Sequence, residues 1–347
     1  MTMTLAERLE AYLTRTCGQP ASVKMLSRIS GGASRETYKF DAEIAGETLG
    51  YILRRDPPGS LIETDRRLEY LAIQSFTGKG VAAPRALALE IDGAELERPF
   101  FLMHRIDGGM TGSPFAADPY GEHGAAIGEQ FFSMMGRIAG EPVEGLPILG
   151  AAQIPAPEDC WKQQLDYWAG VIDEDELHPQ PIVRAAIRRL RASPPPPAQK
   201  IAVVHGDYRS GNFLQDGAGK IIAILDWEMA HLGDPLEDLG WAADPLWSLP
   251  GSATVSGTVP LEEGIAIWER ASGLKVDPKA FAWWRLFASV KGQAIWTSAA
   301  KEWRDGGFKE PILAFSGWYT ARRQDQILAD HLAARLPTLL DDLEAAK

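Results

Sequence analysis

The sequence predicts an α+β protein of two lobes, a small β-rich lobe followed by a larger, mainly helical one. Three observations carry this. Residues 23–106 hold five strand-like segments with one helix among them, whereas from residue 120 onward helical stretches dominate. The chain has 347 residues, more than one ordinary domain holds. Its 45% hydrophobic and 24% charged content is that of a soluble globular protein. The expected division is residues 1–107 and residues 108–347.

Each element has its own signal. Thr4-Leu5-Ala6-Glu7 fits a capping box, and Leu5, Leu9, Tyr12 and Leu13 share one helical face. That helix ends near Gly18-Gln19-Pro20. Strands are expected at Val23–Ile29, Glu36–Ile44 and Thr48–Arg54, with a glycine turn at Ser30-Gly31-Gly32-Ala33-Ser34 and another at Gly46. Asp56-Pro57-Pro58-Gly59 stops the third strand. Residues 62–77 read as a helix with Leu68, Leu71 and Ala72 apolar and Asp65, Arg66 and Glu69 polar. Strands at Ala86–Ile91 and Phe100–Ile106 follow, joined by an Asp92-Gly93 turn. Helices are then predicted over 120–139, 158–172, 180–192, 259–272, 278–303 and 311–345. Asp277 suits the cap of the 278–303 helix, with Pro278 at its first position. The Pro194–Pro197 run is a stiff linker before one more apolar strand. The acidic run Asp173-Glu174-Asp175-Glu176 reads as a solvated loop.

Composition excludes several classes. A formal net charge of −12 argues against nonspecific binding to nucleic acid or to an anionic membrane surface. Cys17 and Cys160 stand far apart, which argues against a disulfide framework and a cysteine zinc site, so a reducing cytoplasm is the expected compartment. No apolar run has the length of a membrane span, and the first residues lack the pattern of a signal peptide.

The chemistry concentrates in two adjacent segments. Val203-Val204-His205-Gly206-Asp207 is an apolar strand end followed by His-x-Asp, and Asn212 follows Asp207 by five. Ile221-Ile222-Ala223-Ile224-Leu225-Asp226 is a second apolar strand ending in Asp. A hairpin between them would return Asp226 beside the first motif. Phosphoryl transfer from ATP needs these three groups: a carboxylate to orient and deprotonate a hydroxyl, for which Asp207 is the candidate, and oxygen ligands for Mg²⁺, for which Asn212 and Asp226 are. This points to a kinase of the protein-kinase-like fold. His205 fits a loop support better than a base, and Asp234 and Asp238 fit structural caps. Gly31 and Gly32 would let backbone N–H groups approach phosphates. On the third strand Arg54 is the candidate phosphate cation, with Glu69 on the next helix as its acidic partner. A metal-dependent hydrolase is the competing reading of His-x-Asp, but His104, His123, His178, His231 and His331 show no ligand spacing. Eight of the eleven tryptophans lie at or beyond Trp241; helical core is their favoured role, with a few free to line an acceptor pocket.

These motifs resemble the aminoglycoside phosphotransferase/choline kinase family. The resemblance rests on His205-Gly206-Asp207-Tyr208-Arg209-Ser210-Gly211-Asn212, Leu225-Asp226-Trp227-Glu228 and Gly233-Asp234-Pro235-Leu236-Glu237-Asp238-Leu239. The segments Ser30–Tyr38 and Leu53–Gly59 look most similar to the branch fused to acyl-CoA dehydrogenases in animals. The likeness covers about residues 20–320 and implies a bilobal kinase-like fold using ATP and Mg²⁺. It implies Asp207 as base, Asn212 and Asp226 as metal ligands, and Gly31, Gly32, Ser34, Arg54 and Glu69 around the phosphates. Phe101–Ile106, with Met103 and Arg105, would be the hinge against adenine. Many relatives carry Lys where Arg54 stands. Without G-x-G-x-x-G or A-P-E segments, the expected acceptor is not a protein. It is a small-molecule hydroxyl, in this branch a hydroxyacyl thioester or similar metabolite. An aminoglycoside-type antibiotic kinase and a catalytically silent nucleotide-binding module are the alternatives.

Overall fold

The computed structural model describes residues 3–29, 36–56, 65–113, 116–306 and 309–333. It begins with α1 (Leu5–Cys17), where the Thr4 hydroxyl accepts from the Glu7 N–H and Glu7 accepts from the Thr4 N–H, closing the capping box. A five-stranded antiparallel sheet follows in the order β1 (Ala21–Ile29), β2 (Glu36–Ile44), β3 (Glu47–Arg55), β5 (Phe100–His104) and β4 (Ala86–Glu90). Helix α2 (Arg66–Phe76), capped by Asp65, connects β3 to β4.

Strand parity decides what the sheet presents to each side. Phe40, Leu53, Phe100 and Leu102 face α1 and form a small core with Leu9, Tyr12 and Leu13. Ile52, Phe101 and Met103 face the other way and join the main core. Arg54 has the parity of Ile52, so the register of β3 aims it inward. Helix α2 differs from its expected orientation. Arg66 and Glu69, read as its polar side, are 5% and 0% exposed, while Leu68 and Leu71 are only partly buried. Ion pairs explain the difference: Arg66 meets Asp56 and Glu69 meets Arg54.

The second lobe is built round α8 (Pro278–Asp305), capped by Asp277 with Pro278 at its first position. It is enclosed by α4 (Cys160–Asp175), α5 (Pro181–Ala192), α6 (Leu236–Ala242) and α10 (Ala321–Ala333). Trp283 and Trp284 fill this core, whereas Trp303 is exposed. Helix α3 (Gly124–Gly140) packs on α7 (Leu261–Ser272). Asp173, Glu174 and Asp175 form the last turn of α4 rather than a loop, held by Arg184 and Lys301. The predicted helix 311–345 is divided into α9 (Pro311–Phe315), a π-helical turn at Ser316–Thr320, and α10; residues 334–345 lie outside the described residues. A Cβ at Gly317 would stand 2.6 Å from the Ala300 Cα, so the π turn presses on α8 where it has no side chain. Two short antiparallel pairs complete the lobe: β6 (Ala202–Val204) with β9 (His231–Gly233), and, between them in the chain, the hairpin of β7 (Phe213–Gln215) and β8 (Ile221–Ile224). Among the described residues no helix is long and apolar enough to cross a membrane.

Helix α6 crosses α8 closely at Gly240, where a Cβ would stand 2.9 Å from the Trp284 carbonyl carbon and oxygen. Alanine in a helix ordinarily gains about 0.5–1 kcal/mol over glycine. At this position the clash reverses the sign, and Gly240→Ala is expected to lose about 1–3 kcal/mol in urea unfolding. A variant as stable as the parent would show that the helices do not approach so closely.

Candidate active site

Asp207 follows a turn that only glycine permits. Gly206 has φ +83°, and a Cβ on it would stand 2.3 Å from the Met229 carbonyl oxygen. The Asp238 carboxylate accepts from the N–H groups of His205 (2.6 Å) and Gly206 (2.9 Å), and burial pushes its pKa up to about 6. Below the turn, Lys291 is 1% exposed and donates to the Gly206 carbonyl at 2.6 Å and to Glu237 at 2.8 Å. Burial alone would raise Glu237, but Lys291 and His231 outweigh it and hold the carboxyl down to about 2. His205 is fully buried: Nδ1 accepts from the Asp207 N–H at 3.2 Å, and Nε2 lies 2.9 Å from the Leu225 carbonyl. That geometry requires the neutral Nε2–H tautomer, and burial lowers the ring to about 4. His205 therefore supports the loop. Asp234 does likewise for α6, accepting from the Leu236 N–H and the Trp284 indole.

The Asp207 carboxylate is 13% exposed and meets three donors. Trp241 Nε1 and Arg209 Nε lie 2.8 and 3.0 Å from Oδ1, and Asn212 Nδ2 lies 2.5 Å from Oδ2. Burial raises its pKa; Arg209 opposes the shift and Asp226 adds to it. Asn212 Nδ2 also donates to the Asp207 carbonyl at 2.9 Å, so the amide is locked with its Oδ1 turned away from Asp207. The β7–β8 hairpin, closed by Leu225 N–H donating to Asn212 O at 2.7 Å, returns Asp226 to the same place. Asp226 has φ +64°, an uncommon conformation that aspartate tolerates better than most residues.

Opposite this hairpin stands Arg54. One arm of its guanidinium, Nη1, lies 2.8 Å from Glu69 and 3.1 Å from Asp226; the other, Nη2, lies 3.1 Å from both Asp226 and Glu228. Burial works against the Arg54 charge, and Glu69, Asp226 and Glu228 outweigh it, raising its pKa. Burial likewise works against ionised Asp226, but Arg54 prevails and holds that carboxyl below the usual carboxylate range. Glu69, Asp226 and Glu228 share this one guanidinium.

The structure thus brings together Asp207, Asn212, Asp226, Arg54 and Glu69. Gly31, Gly32 and Ser34 lie outside the described residues. Met103 is buried on the inner face of β5. Arg105 is not brought to this group: its N–H donates to the Gly50 carbonyl, and its guanidinium bonds to Phe40 O, Asp41 and Asp107. Arg105, the residue after β5, lays its guanidinium over Gly50, which has no side chain to displace it. Arg209, Trp241, Lys291 and Glu228 join the site without having been assigned a role from sequence. Among the described residues no group of three or more His, Cys, Asp and Glu side chains is arranged to hold a metal. A site of one carboxylate and one amide oxygen, completed by phosphates, would not form such a group.

Residues 26–274 match the phosphotransferase enzyme family. The chain belongs to that family. Among curated relatives of this phosphotransferase, acyl-CoA dehydrogenase family member 11 of Gallus gallus is 25% identical over 256 residues, 72% of this chain. The chain spans only 32% of that protein's length. Viomycin phosphotransferase of Streptomyces vinaceus is 30% identical over 149 residues, covering 41% of this chain and 49% of that protein. A solved Ralstonia eutropha protein assigned to the aminoglycoside phosphotransferases superposes with a TM-score of 0.73 at 20% identity, covering 94% and 97% of the two chains. Aminoglycoside phosphotransferase APH(4)-Ia, solved with AMP-PNP and hygromycin B, gives 0.60 at 18% identity, covering 94% and 98%. These likenesses establish the bilobal kinase-like fold.

The His205 environment yields a measurable consequence. The folded ring refuses a proton until about pH 4, whereas its ordinary value is 6.5, so this group withdraws stability as pH falls through that window. In ¹⁵N NMR titration His205 is expected to remain the neutral Nε2–H tautomer at pH 5. Protonation with a midpoint near 6.5 would contradict the buried geometry.

Proposed function

We propose that this phosphotransferase moves the γ-phosphoryl group of ATP to a hydroxyl of a small molecule, residues 1–107 handling the nucleotide and residues 108–347 the chemistry and the acceptor. One observation carries the reading: Arg54 and Asp226, 172 residues apart, meet beside Asp207 and Asn212. Asp207 would orient the acceptor hydroxyl and take its proton. Arg54, kept in place by Glu69, would turn the Nη2 arm that Asp226 and Glu228 hold in this structure to the α- and β-phosphates when nucleotide binds. Asn212 Oδ1 and the Asp226 carboxylate are oxygen donors that suit Mg²⁺. When bound there, Mg²⁺ would neutralise charge on the β- and γ-phosphates. The solved APH(4)-Ia complex, holding a nucleotide analogue and hygromycin B, supports a nucleotide and a small acceptor on this fold.

The acceptor we favour is a hydroxyacyl thioester or similar metabolite, in line with the relatives named for acyl-CoA dehydrogenases. A cavity of about 520 Å³ lies between α8, α10 and the segment before α5, lined by Gln293, Trp296, Trp318, Arg322 and Asp325 among others. That volume suits a small-molecule ligand. Trp296 lies 6.2 Å from Trp247, and Arg209 lies 4.4 Å from Trp247, so aromatic contacts run from the cavity to Asp207.

Asp207→Ala is expected to lower Mg²⁺- and ATP-dependent phosphorylation of a metabolite pool by about 10²–10⁴-fold. Calorimetric binding of Mg-ATP should survive. Full activity in this variant would overturn the assignment of Asp207.

A further inference from the structure

We propose that Asp207 acts through one oxygen, Oδ2, and that Trp241 and Arg209 are positioning residues that select it by occupying Oδ1. The inference rests on Asp207 being the hydroxyl-orienting base.

An ionised carboxylate offers about four lone-pair sites, two on each oxygen. On Oδ1 both are taken, by the Trp241 indole N–H at 2.8 Å and by Arg209 Nε at 3.0 Å. On Oδ2 one is taken, by Asn212 Nδ2 at 2.5 Å. A single acceptor site is left, and it is on Oδ2. As the acceptor oxygen bonds to the γ-phosphorus and the bond from that phosphorus to the β–γ bridging oxygen breaks, the electron pair leaves with ADP. The hydroxyl proton passes to Oδ2.

Both donors are held from behind. Trp241 is 1% exposed, packs edge-on to Trp247 at 5.1 Å, and has the Lys291 ammonium 5.2 Å from its ring. Arg209 lies over Trp247 with its guanidinium carbon 4.4 Å from the ring centre, and its Nη1 donates to the Ser210 carbonyl at 3.0 Å. Neither can turn without losing a second contact. The two donors come from different elements, α6 and the catalytic loop, so they fix the carboxylate plane as well as its charge.

The test uses transfer to water, Mg-ATP hydrolysis, as the probe reaction. Trp241→Phe keeps the ring and removes the N–H. It is expected to lower kcat about 10- to 100-fold, the range for a hydrogen bond to a charged group, with KM for Mg-ATP unchanged. Arg209→Met should behave alike, and Arg209→Lys should recover part of the loss. As a check independent of turnover, the Trp241 indole N–H signal in ¹H–¹⁵N NMR should shift in Asp207→Asn. Unchanged kcat in Trp241→Phe and Arg209→Met would overturn the inference. If Asp207→Ala is also fully active, the reading of Asp207 fails; if Asp207→Ala alone is inactive, only the positioning roles fail.

Discussion

One guanidinium ties three separately folded pieces together. Arg54 on β3 bonds to Glu69 on α2 and to Asp226 and Glu228 after β8. A buried charge without partners costs several kcal/mol, so the sheet, the helix and the hairpin are held to one mutual arrangement by the need to satisfy it. The planar fork matters here. Both arms donate to Asp226, one also meeting Glu69 and the other Glu228, which a point-charge ammonium would do less well. Asp226, one of these carboxylates, stands where the proposed function needs an oxygen ligand for a divalent cation.

The catalytic loop depends on a second buried polar layer. Asp238 holds the two N–H groups before Asp207, and Lys291, braced by Glu237 and His231, holds the Gly206 carbonyl. Buried polar groups are costly unless satisfied, and these satisfy one another. The close crossing of α6 and α8 at Gly240 sets their spacing, since Asp238 and Trp241 ride on α6 and Lys291 on α8. The position of Asp207 is thus set from the helical core.

Much of this was legible in the chain. Alternating apolar residues marked the five strands, and the parity that sends Leu53 outward also sends Arg54 inward. The fourteen residues from Asn212 to Asp226 suit a tight hairpin, which β7 and β8 form, whereas the apolar strand before Asp207 pairs with β9. Other features had no local signal. Trp241 lies 34 residues from Asp207, and Lys291 lies 85 residues from Gly206; each is one apolar-faced helix residue among many. Arg66 and Glu69 looked solvent-facing because their ion-pair partners lie on other elements. The π turn at Ser316–Thr320 follows from close packing at Gly317, which helical periodicity does not reveal.

The most direct measurement is calorimetric titration of ATP into the parent and into Asp226→Asn, each with and without Mg²⁺. If Arg54 and Asp226 form a metal-nucleotide centre, Mg²⁺ strengthens ATP binding in the parent and this strengthening is lost in Asp226→Asn. An equal effect of Mg²⁺ on both proteins would contradict the assignment.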